Sequence, residues 1–355
     1  MILRGGTSKG AYFLASDLPP APPERDLLLL RIMGSPDARQ IDGIGGAHPL
    51  TSKVAVVAPS ASADADVDYL FLQVGTDEPL VSDRQNCGNL LAGVAPFAIE
   101  RGLVDAAADG LVTVRIKMLN TGSIATARLE TQAGLPIYEG VTTISGVPGA
   151  AAAIALDFED IAGSSTGALL PTGNRVDDIH GVASTLVDNG MPVVVMAASA
   201  LGVSGYETCA ELEQNAALRT KLEAIRLEAG VRMGLGDVSQ TTIPKLTIVS
   251  PPQSGGHLNT RTFIPHRCHD AIGVLGAVSV STAALLPGSP AYALVDQLSN
   301  DVATDSLVRL EHPTGVFEAV VEIVHTASGE MTVKRAGIIR TARKLMDGIV
   351  FPRSE

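Results

Sequence analysis

The run Leu90 to Ile99, Leu-Leu-Ala-Gly-Val-Ala-Pro-Phe-Ala-Ile, offers water no polar face. A helix that is apolar all round must be covered all round, and this one is far short of the roughly 20 residues that span a bilayer. The chain is therefore expected to enclose it among strands. Directly before it stands a polar stretch, Asp83-Arg84-Gln85-Asn86-Cys87-Gly88-Asn89. Asn86 is a good N-cap, and Gly88, lacking a β-carbon, lets another group come close. Cys87 is thus expected at the helix mouth, where unpaired N–H groups and the positive end of the dipole lower a thiol's pKa and attract anions. A free cysteine is more often a buried packing residue, but Asn-Cys-Gly-Asn suits a core badly. Pro96 predicts a kink or break around Ala92 to Pro96.

At 355 residues the chain exceeds one ordinary core, and two domains of roughly 150 to 200 residues are expected. Hydrophobic residues are 46% and charged residues 18%, which excludes a disordered chain. With 3% aromatics and no Trp, the core falls to Val, Ile, Leu and Ala. A net charge of −12 argues against nucleic acid and against anionic membranes as partners, so an anionic substrate has to be met by local donors. Three cysteines, Cys87, Cys209 and Cys268, make no disulfide framework, and no secretory leader or membrane span is legible. A cytoplasmic protein is expected.

In chain order, Met1-Ile2-Leu3 reads as a strand entering the small-residue loop Arg4-Gly5-Gly6-Thr7-Ser8-Lys9-Gly10. Such a loop is a tight turn or an anion nest; its glycine spacing is not that of a P-loop. A helix is predicted over Glu24 to Met33. The cluster Gln40-Ile41-Asp42-Gly43-Ile44-Gly45-Gly46 follows, then Ser52-Lys53 leading into an apolar strand, Val54 to Ala58. Lys53 is a solvated strand-edge charge or a partly buried amine whose lowered pKa suits it to act as a base. Strands are predicted at Val67 to Val74, Val112 to Leu119 and Ile124 to Glu130.

Beyond Gly146-Val147-Pro148-Gly149 the pattern restarts, with strands at Ala151 to Phe158, Gly181 to Leu186 and Pro192 to Met196 and a surface helix over Glu211 to Ala229. Strands at Lys245 to Ser250 and Thr260 to Ile264 precede Pro265-His266-Arg267-Cys268-His269-Asp270, expected to open a second apolar helix, Ala271 to Leu286. The fold class is α/β or α+β, with two domains of similar design. His266, Cys268 and His269 fit no structural zinc spacing, and with no dinucleotide fingerprint no metal and no cofactor are expected.

Arg4 to Gly10, Ile41 to Gly46, Thr51-Ser52-Lys53 and Asn86 to Asn89 occur together in the order found in the PrpF-like isomerases, which the chain resembles over nearly its whole length. Met33-Gly34-Ser35-Pro36-Asp37, Gly234 to Gln240 and Phe263 to His269 resemble in particular the 4-oxalomesaconate tautomerases of that family. The resemblance implies a diaminopimelate-epimerase-like fold: two domains, each wrapping mixed strands around a central helix, with the site between them. The domains are expected at 1–148, joined by a C-terminal strand at about 337–355, and at 149–336. The family's catalytic lysine and cysteine match Lys53 and Cys87. Thr7, Ser8, Ser52, Asn86, Gly88, Asn89, Arg261 and His269 are the expected substrate-binding residues. Asp188 to Pro192 resembles the epimerases' substrate loop, with Met191 where those enzymes carry asparagine.

The implied reaction is a cofactor-independent 1,3-allylic isomerisation of a tricarboxylic keto acid, 4-oxalomesaconate, in aromatic-acid catabolism such as that of lignin-derived acids. An isomerase of the same fold acting on 2-methylaconitate is the alternative, and a non-catalytic thiol sensor is a third reading, disfavoured by the lysine. Lys53 is expected as base and Cys87 as acid, with the reverse assignment open. A homodimer is a candidate assembly.

Overall fold

The computed structural model describes residues 1–83, 87–295, 307–325 and 331–354. The chain divides into two compact units, Met1–Glu159 with Ile339–Glu355, and Asp160–Ile338.

In the first unit β1 (Ile2–Gly5) and β2 (Ser8–Leu14) form a hairpin turned at Gly6 and Thr7. Helix α1 (Pro22–Met33) carries the chain to β3 (Lys53–Pro59), which runs parallel to β2 with Lys53 opposite Gly10. β4 (Val67–Val74) is antiparallel to β3, and β5 (Val81–Ser82) pairs with its end. Two short helices follow, α2 (Gly88–Leu91) and α3 (Val94–Glu100). β6 (Gly110–Met118) lies parallel to β4, and β7 (Ile124–Gln132) pairs with β6, with β8 (Leu135–Pro136) and with β9 (Ala153–Phe158).

Alternation sorts the side chains. Val54, Val56, Leu72 and Val74 meet Leu29, Ile32 and Met33 of α1. The opposite face of the same strands, with Lys53, Tyr69, Phe71 and Gln73, shares its side with Leu3, Gly5, Ser8, Gly10 and Tyr12, which lie against α2 and α3; the Tyr12 and Phe97 rings are 5.8 Å apart. Val94 to Ile99 are all buried, as an apolar helix demands. The predicted break falls at Ala92 and Gly93: Pro96 has no N–H for the Ala92 carbonyl, so the helix restarts with Pro96 in its first turn, where no donor is needed.

The second unit repeats these connections. β10 (Asp177–Ile179), β11 (Val182–Asp188) and β12 (Pro192–Ala197) are antiparallel neighbours. After α4 (Cys209–Gln214) and α5 (Ala216–Arg232), β13 (Lys245–Ser250) joins β12 in parallel and β14 (Leu258–Ile264) pairs antiparallel to β13. The two-residue β15 (Arg267–Cys268) folds back on β14, and α6 (Val274–Ala284) is buried from Gly276 to Ala284. β16 (Leu307–His312) is parallel to β14 and β17 (Gly315–His325) antiparallel to β16. The last strand, β18 (Met331–Met346), pairs with β17 up to Ile338 and with β1 from Ala342 onward. Each unit thus wraps mixed parallel and antiparallel strands round a buried helical segment, the diaminopimelate-epimerase-like fold.

Two expectations are corrected. The helix over Glu211 to Ala229 is two helices, because Asn215 closes α4 and its side-chain oxygen caps α5 at Leu218 N, 3.0 Å away. The second apolar helix does not begin at Ala271 straight after the Pro265–Asp270 stretch: Gly273 is its N-cap, and Pro265 and His266 form the turn between β14 and β15. Among the described residues no helix is long and apolar enough to cross a membrane.

Candidate active site

Cys87 itself is the N-cap of α2, in extended conformation, with Gly88 the first helical residue. This shifts the expected cap by one position from Asn86, which lies outside the described residues. Two phenols hold the turn. Tyr12 Oη donates to Leu90 O at 2.6 Å and Tyr69 Oη more loosely to Cys87 O at 3.4 Å. Both hydroxyls are pushed well above the usual phenol range, by burial first and then by the neighbouring Cys87, so they remain donors.

The hairpin closes over the same turn. Asn89 Nδ2 donates to Thr7 Oγ1 at 3.0 Å. Gly6 has φ +51°, and a β-carbon there would lie 2.2 Å from Asn89 Oδ1; only glycine fits on both counts. Asn89 Oδ1 and the Oγ of the buried Ser8 are enclosed without a protein partner among the described residues. Buried polar atoms without partners are rare and costly, and these two sit beside the first turn of α2.

Lys53 starts β3 on the helix-facing side. It is 7% exposed, its Nζ donates to Gln73 Oε1 at 2.8 Å, and it stands 5.0 Å over the centre of the Phe71 ring. Gln73 sits directly across the strand pair and is itself fixed, donating from Nε2 to Pro49 O and Ser52 O at 3.1 and 3.0 Å. Gly10, opposite Lys53 on β2, has room for nothing larger: a β-carbon would come within 2.6 Å of Lys53 O and 2.9 Å of Leu90 Cδ2. The strand bearing the lysine and the helix bearing the thiol therefore meet across a glycine.

Ser52 is fully buried, and its hydroxyl donates to Gln40 Oε1 at 2.5 Å. Gln40 also receives Ala47 N and donates to Ser35 Oγ, which makes it the hub of the loop preceding Lys53. The sequence signalled the glycines around it but neither amide: Gln40 and Gln73 follow no periodicity. A lysine entering a buried strand, however, needs a neutral acceptor, and Gln at a strand-paired distance is the residue type to look for.

Arg261 and His269 belong to the second unit. Arg261 lies on the α4 side of β14, with Nε donating to Glu207 O at 2.8 Å and Nη1 to Asn259 Oδ1 and Thr260 O. His269 accepts Ala271 N at Nδ1, 2.8 Å away, and burial holds its pKa below the usual imidazole value, so it is a neutral ring with the proton on Nε2. Cys268 is buried with the α4 and α5 side chains, and burial, reinforced by Cys209, pushes its thiol far up. In the resembling loop, Asp188 takes Ser165 N and Thr166 N at 2.9 and 3.0 Å, and Asn189 is tied to Ser279 and Thr282 of α6. Among the described residues no three His, Cys, Asp or Glu side chains gather as a metal site would require.

The family model described as PrpF protein matches residues 1–353. A 4-oxalomesaconate tautomerase of Pseudomonas putida is 56% identical over 350 residues, 99% of this chain and 94% of that protein. A (4E)-oxalomesaconate Delta-isomerase of a Novosphingobium species is 54% identical over 353 residues, 99% of this chain and 96% of that protein. Among solved structures, a methylitaconate-delta-isomerase superposes with a TM-score of 0.87 at 35% identity, covering 98% of this chain and 93% of that one. The chain therefore belongs to the PrpF family, as one of its isomerases.

Proposed function

We propose that the protein is a cofactor-independent tautomerase of 4-oxalomesaconate, serving the catabolism of aromatic acids such as those derived from lignin, with Lys53 and Cys87 as its proton-transfer pair. The observation that carries the reading is Lys53. Among the described residues its ammonium has no carboxylate partner, only an amide and a ring face. A buried amine without a counter-ion is costly to keep for structure alone.

The chemistry needs little more. In an α-keto acid whose double bond lies β,γ to the ketone, the methylene between ketone and alkene is acidic. Lys53 takes one of its protons, leaving a dienolate, and Cys87 returns a proton two carbons away so that the double bond shifts; exchange with solvent resets both groups. Thr7, Ser8 and Asn89, with the backbone of Gly88, hold carboxylate oxygens beside the turn, while Ser52 supports Lys53 from behind through Gln40. Each proton-transfer group contributes roughly 100-fold to 10,000-fold.

The likeness to methylitaconate-delta-isomerase favours one alternative, an allylic isomerisation of 2-methylaconitate or another acid of that kind. One experiment decides. Purified protein in deuterated buffer without added cofactor should convert 4-oxalomesaconate with deuterium entering the allylic positions, at a kcat/KM at least 100-fold above that for 2-methylaconitate. The reverse ratio establishes the alternative, and no turnover of either acid removes both.

A further inference from the structure

The strand register places three cations in one row. Arg4 of β1 stands opposite Lys9 of β2 on one side and opposite Arg343 of β18 on the other. Like charges directly across a strand pair oppose pairing, and here no carboxylate intervenes: among the described residues none of the three is in an ion pair. The row does not belong to the candidate active site. Alternation puts Gly5, Ser8 and Gly10 on the side of α2 and of Lys53, and Arg4, Lys9 and Arg343 on the other.

Arg4 is held ready. Its Nη1 donates to Gly6 O, Thr341 O and Thr341 Oγ1, each at 2.9 Å, which fixes the guanidinium plane and leaves its remaining N–H groups without protein acceptors among the described residues. Burial and the charge of Arg343 both press its pKa downward, the strain that a bound anion would relieve. Beside it opens a small surface pocket lined by Arg4, Arg343, Thr142, Thr341 and the turn from Val147 to Ala151. That turn is tied off by Thr142 and Ala151, which exchange two backbone hydrogen bonds of 3.0 Å. Guanidinium groups with hydroxyls at the wall are suited to carboxylate or phosphate oxygens.

We propose that this pocket is an anion-binding site, separate from the Lys53 and Cys87 side of the sheet, that receives a small dianion presenting carboxylate or phosphate oxygens to Arg4 and Arg343. Titration calorimetry at constant ionic strength tests it, with inorganic phosphate and malonate as the two probes. The wild-type protein should bind at least one of them saturably, and the tighter of the two identifies the source of the anion. Arg343→Gln, at an exposed position, should weaken that binding at least tenfold. Arg343→Glu should abolish it while raising the melting temperature, because the introduced carboxylate takes the anion's place. Lys53→Met should keep the wild-type affinity, which separates this site from the proposed catalytic one. Absence of saturable binding for both probes, unchanged binding in Arg343→Gln, or loss of binding in Lys53→Met would overturn the proposal.

Discussion

The two units share their strand connections but not their chemistry. In each, a hairpin is followed by a helix, a parallel strand beginning with lysine, an antiparallel strand and a buried helical segment: Lys53 begins β3 and Lys245 begins β13, each on the side facing the buried helix. Lys53 meets the amide of Gln73, whereas Lys245, one residue before the Leu246–Phe263 pair, has no such acceptor among the described residues. At the buried helix of the first unit the N-cap is Cys87; at that of the second it is Gly273, and the nearby thiol, Cys268, is packed into a core. Repeating a fold repeats the places where groups can stand. What stands there decides what each copy can do.

The contrast is broken most severely at Lys53. Lys53→Met should reduce isomerisation by roughly 100-fold to 10,000-fold and also stop exchange of the substrate methylene hydrogen with deuterated water, because no dienolate forms. Persistence of that exchange would transfer the role of base to Cys87. Cys87→Ser comes next: net isomerisation should fall by about 100-fold or more, since a hydroxyl is a far poorer acid than a thiol, while methylene exchange continues. Proton NMR on one sample reads both rates.

A much smaller effect is expected at the other thiol. Cys268→Ala should leave kcat within about threefold of wild type and lower stability by roughly 1 to 2 kcal/mol through the void it opens, measured by urea denaturation. A loss of activity like that of Cys87→Ser would mean that both units supply thiol chemistry. The finest test is Lys245, whose pKa burial lowers to about 8. Below pH 8 it is charged in both folded and unfolded chains and folding carries the whole burial cost. Between pH 8 and its ordinary value the unfolded chain binds the extra proton, so stability rises with pH. Lys245→Met should remove that rise, worth about 1 kcal/mol once its partial exposure is allowed for, when denaturation midpoints at pH 8 and 10 are compared with wild type.

Much of this was legible in the residues. The apolar run after Cys87 required a covered helix, and Pro96 required its interruption. Val67 to Val74 was readable to the residue because its alternation is bounded by Asp and Gly. Cys268 was misplaced because a polar stretch before an apolar run looks the same whether it caps a helix or turns a hairpin; the pairing of Phe263 with Cys268 is a long-range outcome. Gln40 was hidden for a related reason. Its side chain satisfies Ser35, Ala47 and Ser52, and no local pattern announces which amide a loop will fold around.

β18 has a consequence for how the chain is made. The unit that holds Lys53 and Cys87 is interrupted by residues 160–338 and takes its last strand from Ala342 onward, so on the ribosome its sheet stays incomplete until that strand has been made. The second unit, continuous from Asp160 to Ile338, has all of its strands earlier. Synthesis thus reverses the usual order in which N-terminal units fold first, and β1 must hold an unpaired edge until its partner emerges. The entropy of closing so long an insertion grows only by about 0.6 kcal/mol per doubling of length; the larger burden is kinetic, an exposed edge that a chaperone or a quick second unit has to protect.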